Sequence, residues 1–117
     1  MRKLVRDKIP AKMEAEGIDP KVRVCVGPKL DNLLRRKLVE EALEILEAET
    51  PEDLLEEMAD LETAFFALRR HHNLTSVDVM CRIQEKSRTH GGFQQGFEIE
   101  VPSSDSPWTV VSLTSLQ

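Results

Sequence analysis

The sequence predicts an all-α fold: a helical hairpin plus a further helix, with small extended additions at the N- and C-terminal ends. Three observations carry this reading. Residues 29–49 place apolar side chains at helical spacing, uninterrupted by Gly or Pro. Thr50-Pro51-Glu52-Asp53 then restarts a helix, with Thr50 as N-cap, Pro51 at the first helical position and acids in the first turn. Thr75-Ser76-Val77-Asp78 is a second start of the same kind, and Gly91-Gly92 ends the helix that it opens.

In chain order, residues 3–10 (KLVRDKIP) mix apolar and charged side chains and stop at Pro10. A short helix or turn follows through Glu16 and ends at Gly17. Residues 21–26 (KVRVCV) alternate apolar and polar with β-branched residues, as a short strand or an extended arm does, until Gly27-Pro28 breaks the run. The second helix runs to about His72, where Asn73 leaves it in a left-handed turn, and His71-His72 suit the negative end of its dipole. The third helix runs to about Thr89. Residues 93–101 alternate weakly, as a short hairpin or extended segment. Residues 1–101 are assigned to one domain and 102–117 (PSSDSPWTVVSLTSLQ) to a partly disordered tail, whose Trp108 and Val110-Val111 suit docking on the domain or on a partner.

The chain has 117 residues, enough for a modest core; with one hairpin and one further helix, part of the apolar stripe is left over for self-association. A net charge of -5 is a poor match for a nucleic-acid polymer, which basic grooves hold, and a good match for divalent cations, which prefer carboxylate oxygens. Cys25 and Cys81 have no CxxC or metal spacing and read as reduced and buried, in a cytoplasmic protein. No stretch approaches the roughly 20 apolar residues of a membrane span, and the basic N-terminus lacks the apolar region of a signal peptide.

Acids are dense between residues 40 and 62, so the face they occupy matters more than their spacing. At about 100° per residue, Leu30, Leu33, Leu34, Leu38, Ile45 and Ala48 form the stripe of the first long helix. Glu41 falls near its middle, Glu44 at one side, and Lys37 between Leu34 and Glu41. Leu54, Met58, Leu61, Ala64, Phe65 and Leu68 share a face of the next helix, with Glu57 among them and Asp60 at the edge; Phe65 and Phe66 are assigned to the core. With the turn near residues 49–50, Glu41 and Glu57 meet at similar height in an antiparallel pair. Unpaired buried carboxylates are costly, and a divalent cation resolves the conflict; oxygen-only ligands point to Mg²⁺ or Mn²⁺. The pattern leaves a second reading equally open, in which the acids lie at the rim, reach water, or pair with Lys37 and Arg35.

At these residues the chain resembles a known family. KLVEEALE (37–44) followed by EEMADLE (56–62) is similar to the ExxE and ExxD motifs of the all-α nucleoside triphosphate pyrophosphohydrolases, which include MazG-like proteins and phosphoribosyl-ATP pyrophosphohydrolases. KLVRDKIP (3–10) and KSRTHGGF (86–93) resemble segments that flank the acidic hairpin in a MazG-like subgroup, so the likeness covers residues 1–98. The resemblance implies a helical core that binds Mg²⁺ through Glu41, Glu44, Glu57 and Asp60, assembly into homodimers or homotetramers, and hydrolysis between the α and β phosphates to a monophosphate and pyrophosphate. One position departs: the subgroup has Arg before Gly-Gly-Phe, and here it is His90, a weaker phosphate partner.

Such hydrolysis needs a metal to neutralise phosphates and acidify water, cations to stabilise the transferring group, and a carboxylate to position the water. Glu44 or Glu41 is the expected water-directing carboxylate. Arg6, Lys8, Lys37, Lys86 and Arg88 are the expected phosphate contacts, the plainer reading of Lys86 and Arg88 being solvated surface charge. Gly91-Gly92 offers phosphate a close backbone approach, or simply stops the helix, and Phe93 is expected to pack on that turn. Two other functions compete: phosphoribosyl-ATP hydrolysis in histidine biosynthesis, and a non-catalytic helical interaction module.

Overall fold

The computed structural model describes residues 2–100. Among them are four helices and no strand: α1 (Ile9–Ala15), α2 (Gly27–Glu47), α3 (Pro51–His71) and α4 (Ser76–His90). The chain divides into two units, Met1–Leu74 and Thr75–Gln117. The expected tail, with Trp108 and Val110-Val111, lies outside the described residues.

In the first unit, α2 and α3 pack as an antiparallel hairpin across the three-residue link 48–50. The link can be this short because α3 starts abruptly. The Thr50 hydroxyl accepts a hydrogen bond from the Asp53 backbone N–H at 3.1 Å, and Pro51 fills a position whose N–H has no helical partner. Glu52 and Asp53 lie at the positive end of the helix dipole, and Arg69, Arg70 and His71 at the negative end. Asn73 leaves the helix with φ 56°, in the left-handed turn expected of it.

Two local expectations change. Gly27 and Pro28 open α2 instead of only ending a strand, because Pro fits a first helical turn. Of the two readings of residues 21–26, a short strand or an extended arm, the strand drops out: no other strand exists among the described residues to satisfy their backbone, and Val24 and Val26 are exposed. The short helix expected before Gly17 is α1.

The hairpin buries little. Leu34 of α2 and Ala64 of α3 are the buried apolar residues among those described. Leu30, Leu33, Leu38, Ile45 and Ala48 line them half-buried, as the α2 stripe predicts. On α3 the covered stripe is narrower than predicted: Glu57, Leu61, Ala64 and Leu68 lie inward, while Leu54, Met58, Phe65 and Phe66 are exposed, Phe65 at 43% and Phe66 at 48%. A single neighbouring helix covers only one stripe of α3, and side chains a third of a turn away stay outside. The Phe66 ring instead carries the guanidinium groups of Arg69 and Arg70, 4.8 and 5.6 Å from its centre. On α2, Val39, Leu43 and Leu46 are exposed as well.

The second unit, as described, is α4 followed by a turn. Thr75 and Asp78 form a reciprocal capping box, with bonds of 3.1 and 2.7 Å, and Gly91 ends the helix at φ 80°. The thiols of Cys25 and Cys81 are both free; Cys25 is half-buried, but Cys81 is exposed, contrary to the buried position expected. No described helix is long and apolar enough to cross a membrane.

Candidate metal centre

Nearer the link than the open end of the hairpin, the apolar seam is interrupted by carboxylates. Glu41 projects from α2 into the seam and is only 7% exposed, the one buried charged residue among those described. Glu57 and Asp60 face it from α3, half-buried and three positions apart, so that they lie on neighbouring turns of one face. Each of the three offers an oxygen, and these oxygens lie within 4.8 Å of one another.

Two cations sit against this triplet. Lys37, one turn before Glu41, places its ammonium 3.4 Å from Glu41 and 3.4 Å from Glu40. Arg6, from the N-terminal segment, donates to Asp60 Oδ1 at 2.5 Å and to the Thr63 hydroxyl at 3.4 Å. The pairing reading is thus realised for Glu41 with Lys37. Arg35 does not take part; it binds Asp31 at 2.9 Å. Glu57 has no ion-pair partner among the described residues. Its carboxyl is pushed above the usual range, first by loss of water around it and then by the charges of Glu44, Asp60, Glu41 and Glu56.

Glu44 stands apart from the triplet. It is exposed, and its oxygens do not join the close group, although its charge is felt at Glu57. It lies one turn beyond Glu41 at the side of the α2 stripe, while Ile45 and Ala48 continue the half-buried seam. Four carboxylates, Glu41, Glu44, Glu57 and Asp60, therefore face two cations, Lys37 and Arg6, which leaves two formal negative charges.

The donor set fits a hard divalent cation. All three close donors are carboxylate oxygens. Opposed oxygens on an octahedral Mg²⁺ are about 4.2 Å apart, twice the metal–oxygen distance of about 2.1 Å, which the 4.8 Å spread of the triplet accommodates with small side-chain movements. No thiol or imidazole belongs to the group, which disfavours a zinc-type site.

No family model, no curated protein and no solved structure matches this chain. The case for a cation at this site therefore rests on its own geometry.

Lys8, Lys86 and Arg88 complete the predicted phosphate contacts. Lys8 is exposed at the N-cap of α1 and forms no ion pair among the described residues. Lys86 and Arg88 are exposed on α4 and likewise unpaired there, while Arg82 reaches Glu85 at 3.4 Å. His90 is the last residue of α4, its Nδ1 2.7 Å from the Thr89 hydroxyl. Phe93 does not pack on the Gly-Gly turn; it is 87% exposed, because the described residues of that unit, one helix and a turn, provide no second layer to cover a ring.

Three contacts were not anticipated from the pattern. Arg6 to Asp60 spans 54 residues and Lys3 to Glu40, at 3.1 Å, spans 37. Neither shows in any local period; the only signal for them is a basic N-terminal run in a chain with an acidic hairpin. The third is at the opposite end of the hairpin, where His72 is more than a helix end: its Nε2 lies 2.7 Å from Asp31 Oδ1, which also accepts from Arg35. These hydrogen bonds, His72 first and then Arg35, hold the Asp31 carboxyl below its ordinary value of 3.8.

A depressed carboxylate stabilises the fold at pH above its unfolded value, and that contribution is lost as pH falls through the lower folded value. Asp31→Asn is therefore expected to lower the melting temperature at neutral pH and to flatten its decline below about pH 4. Thermal melts of both proteins between pH 2 and 7 check this. Parallel curves for the two would remove Asp31 from the account of hairpin closure.

Proposed function

We propose that this protein is a Mg²⁺-dependent nucleoside triphosphate pyrophosphohydrolase, cleaving the α–β phosphoanhydride to a nucleoside monophosphate and pyrophosphate. The observation that carries the reading is the triplet of Glu41, Glu57 and Asp60 in a helical seam, with two cations against it and a negative charge left over. The likeness of residues 37–44 and 56–62 to the acidic motifs of the all-α pyrophosphohydrolases adds the reaction class.

In this reading Glu41, Glu57 and Asp60 hold Mg²⁺, or Mn²⁺ in its place. The bound ion would neutralise phosphate charge and lower the pKa of water. Glu41 suits the inner ligand role, because it is buried and already oriented by Lys37. Glu44 suits the water-directing role: it is exposed beside the triplet, where a water has access, and its charge reaches Glu57. Lys37 and Arg6 are the cations nearest the acids, and they carry the phosphate-binding part of the proposal. One water is consumed; its proton passes to a carboxylate, and the anhydride oxygen leaves with pyrophosphate.

The exposed apolar side chains of α2 and α3, among them Val39, Leu43, Leu46, Leu55 and Phe65, support a homodimer or homotetramer in which these faces meet. A substrate-clearing role, removing unwanted triphosphates, fits a small acidic enzyme of this kind.

Pyrophosphate release from a panel of standard and modified nucleoside triphosphates, with Mg²⁺ and with Mn²⁺, tests the proposal. Release that depends on the metal is the expected result. Silence across the panel from folded protein would move the assignment to phosphoribosyl-ATP, read by rescue of a histidine auxotroph. A second reading has its own support: Lys37 and Arg6 satisfy Glu41 and Asp60 without any metal, and the apolar faces suit a partner helix. That non-catalytic interaction module predicts no thermal shift with either cation.

A further inference from the structure

The N-terminal arm, residues 2–6, has no regular structure, yet it is tied down by its charges. The Arg2 guanidinium donates to the Lys21 carbonyl at 2.9 Å, Lys3 reaches Glu40 of α2 at 3.1 Å, and Arg6 reaches Asp60 of α3 at 2.5 Å. Only Leu4 gives the arm a half-buried apolar foothold; Arg2, Lys3, Val5 and Arg6 are exposed. Such an arm is held mainly by exposed ion pairs, which are individually weak and easily exchanged.

Arg6 occupies a particular place. It is bonded to one of the three acids whose oxygens form the close group, and it supplies positive charge at the edge of a cluster that is otherwise short of it. A guanidinium at Asp60 and a divalent cation among the same carboxylates repel each other and compete for the same oxygen lone pairs. We propose that Arg6 is an internal counter-ion for the cation site, and that the N-terminal arm and the metal bind Asp60 in exclusion of one another. Metal entry releases Arg6 from Asp60 and frees its guanidinium for an anionic ligand such as a substrate phosphate. The arm is thus a self-displacing strap that neutralises Asp60 when no cation is bound. By linkage, whatever weakens the strap strengthens cation binding, by at most the factor by which the strap is weakened. This inference rests on the proposed cation site.

The test needs no turnover. Mn²⁺ binding to the full chain is measured without nucleotide, by the loss of free Mn²⁺ signal in electron paramagnetic resonance, for the parent protein, Arg6→Gln and Arg6→Lys. The expected result is affinity about fivefold tighter for Arg6→Gln, at the low end of typical coupling between sites, and near the parent value for Arg6→Lys, which keeps the charge. Equal or weaker Mn²⁺ binding by Arg6→Gln, with both proteins binding the ion, overturns the strap and leaves the cation site standing. Failure of the parent and both folded variants to bind Mn²⁺ overturns the strap together with the site.

Discussion

Glu41→Gln is expected to lower Mg²⁺-dependent pyrophosphate release by about 100-fold or more, with little change in folding. The two halves of this expectation have separate causes. Glu41 is the buried carboxylate of the triplet, so its charge is the one least replaced by water. An amide keeps the shape but offers a neutral oxygen, and loss of even an outer-shell partner of a metal ligand costs about 10–100-fold. The fold is spared because Lys37, which would otherwise lose its partner, keeps Glu40 at 3.4 Å. Activity at saturating Mg²⁺, measured beside a thermal melt, checks both halves. A variant within about threefold of the parent rate, judged against the usual 10–100-fold cost of disturbing a ligand shell, would take Glu41 out of the metal site.

The second large effect changes sign with the cation. Glu57 has a folded-state pKa raised above the ordinary 4.5 by lost hydration and by Glu44, Asp60, Glu41 and Glu56. A carboxyl raised in this way is harder to ionise in the folded protein than in the unfolded chain. Its contribution to stability is fully present below the unfolded value and is lost as pH rises through the folded one. At pH 7, without metal, Glu57→Gln removes a repelled charge and is expected to raise the melting temperature. With metal the order reverses. A cation at about 100 times its dissociation constant stabilises the folded state by about 2.7 kcal/mol, and Glu57→Gln is expected to lose most of that gain. Melting curves with and without Mn²⁺, at pH 5 and 7, read the whole pattern. An unchanged Mn²⁺ shift in the variant would exclude Glu57 as a ligand, and a metal-free melting temperature below the parent's would mean that its charge is better compensated than its neighbours suggest.

How far such a site can be read from one sequence depends on the range of the forces involved. The starts of α3 and α4 were legible because capping is local: Thr50 and Thr75 each bond a backbone N–H three residues on. The face that carries Glu41 was legible because α2 keeps one period for 21 residues, and the height at which Glu57 meets it followed from a short link and a constant rise. Glu44 shows where this reasoning ends. A helical wheel put it at one side of the stripe, and whether the side of a stripe is covered depends on the width of the neighbouring helix. The exposed Phe65 and Phe66 have the same cause: aromatic side chains at core spacing stay outside when, within the described residues of the first unit, one helix packs against α3. Residues 21–26 carried the alternation of a strand, but a strand exists only through a partner, and none is present among the described residues.

By itself, then, the amino-acid sequence determined the helical class, the helix starts, and the face on which the acids of α2 lie. These are set by hydrogen bonds and periods that close within a few residues. Tertiary structure alone decided that Glu44 stands outside the small volume shared by Glu41, Glu57 and Asp60, and which cations reach them. Asp60 receives Arg6 from 54 residues away, Glu40 receives Lys3, and Asp31 receives His72. Charge pairs across such distances follow from how the chain returns on itself, and no local pattern encodes that.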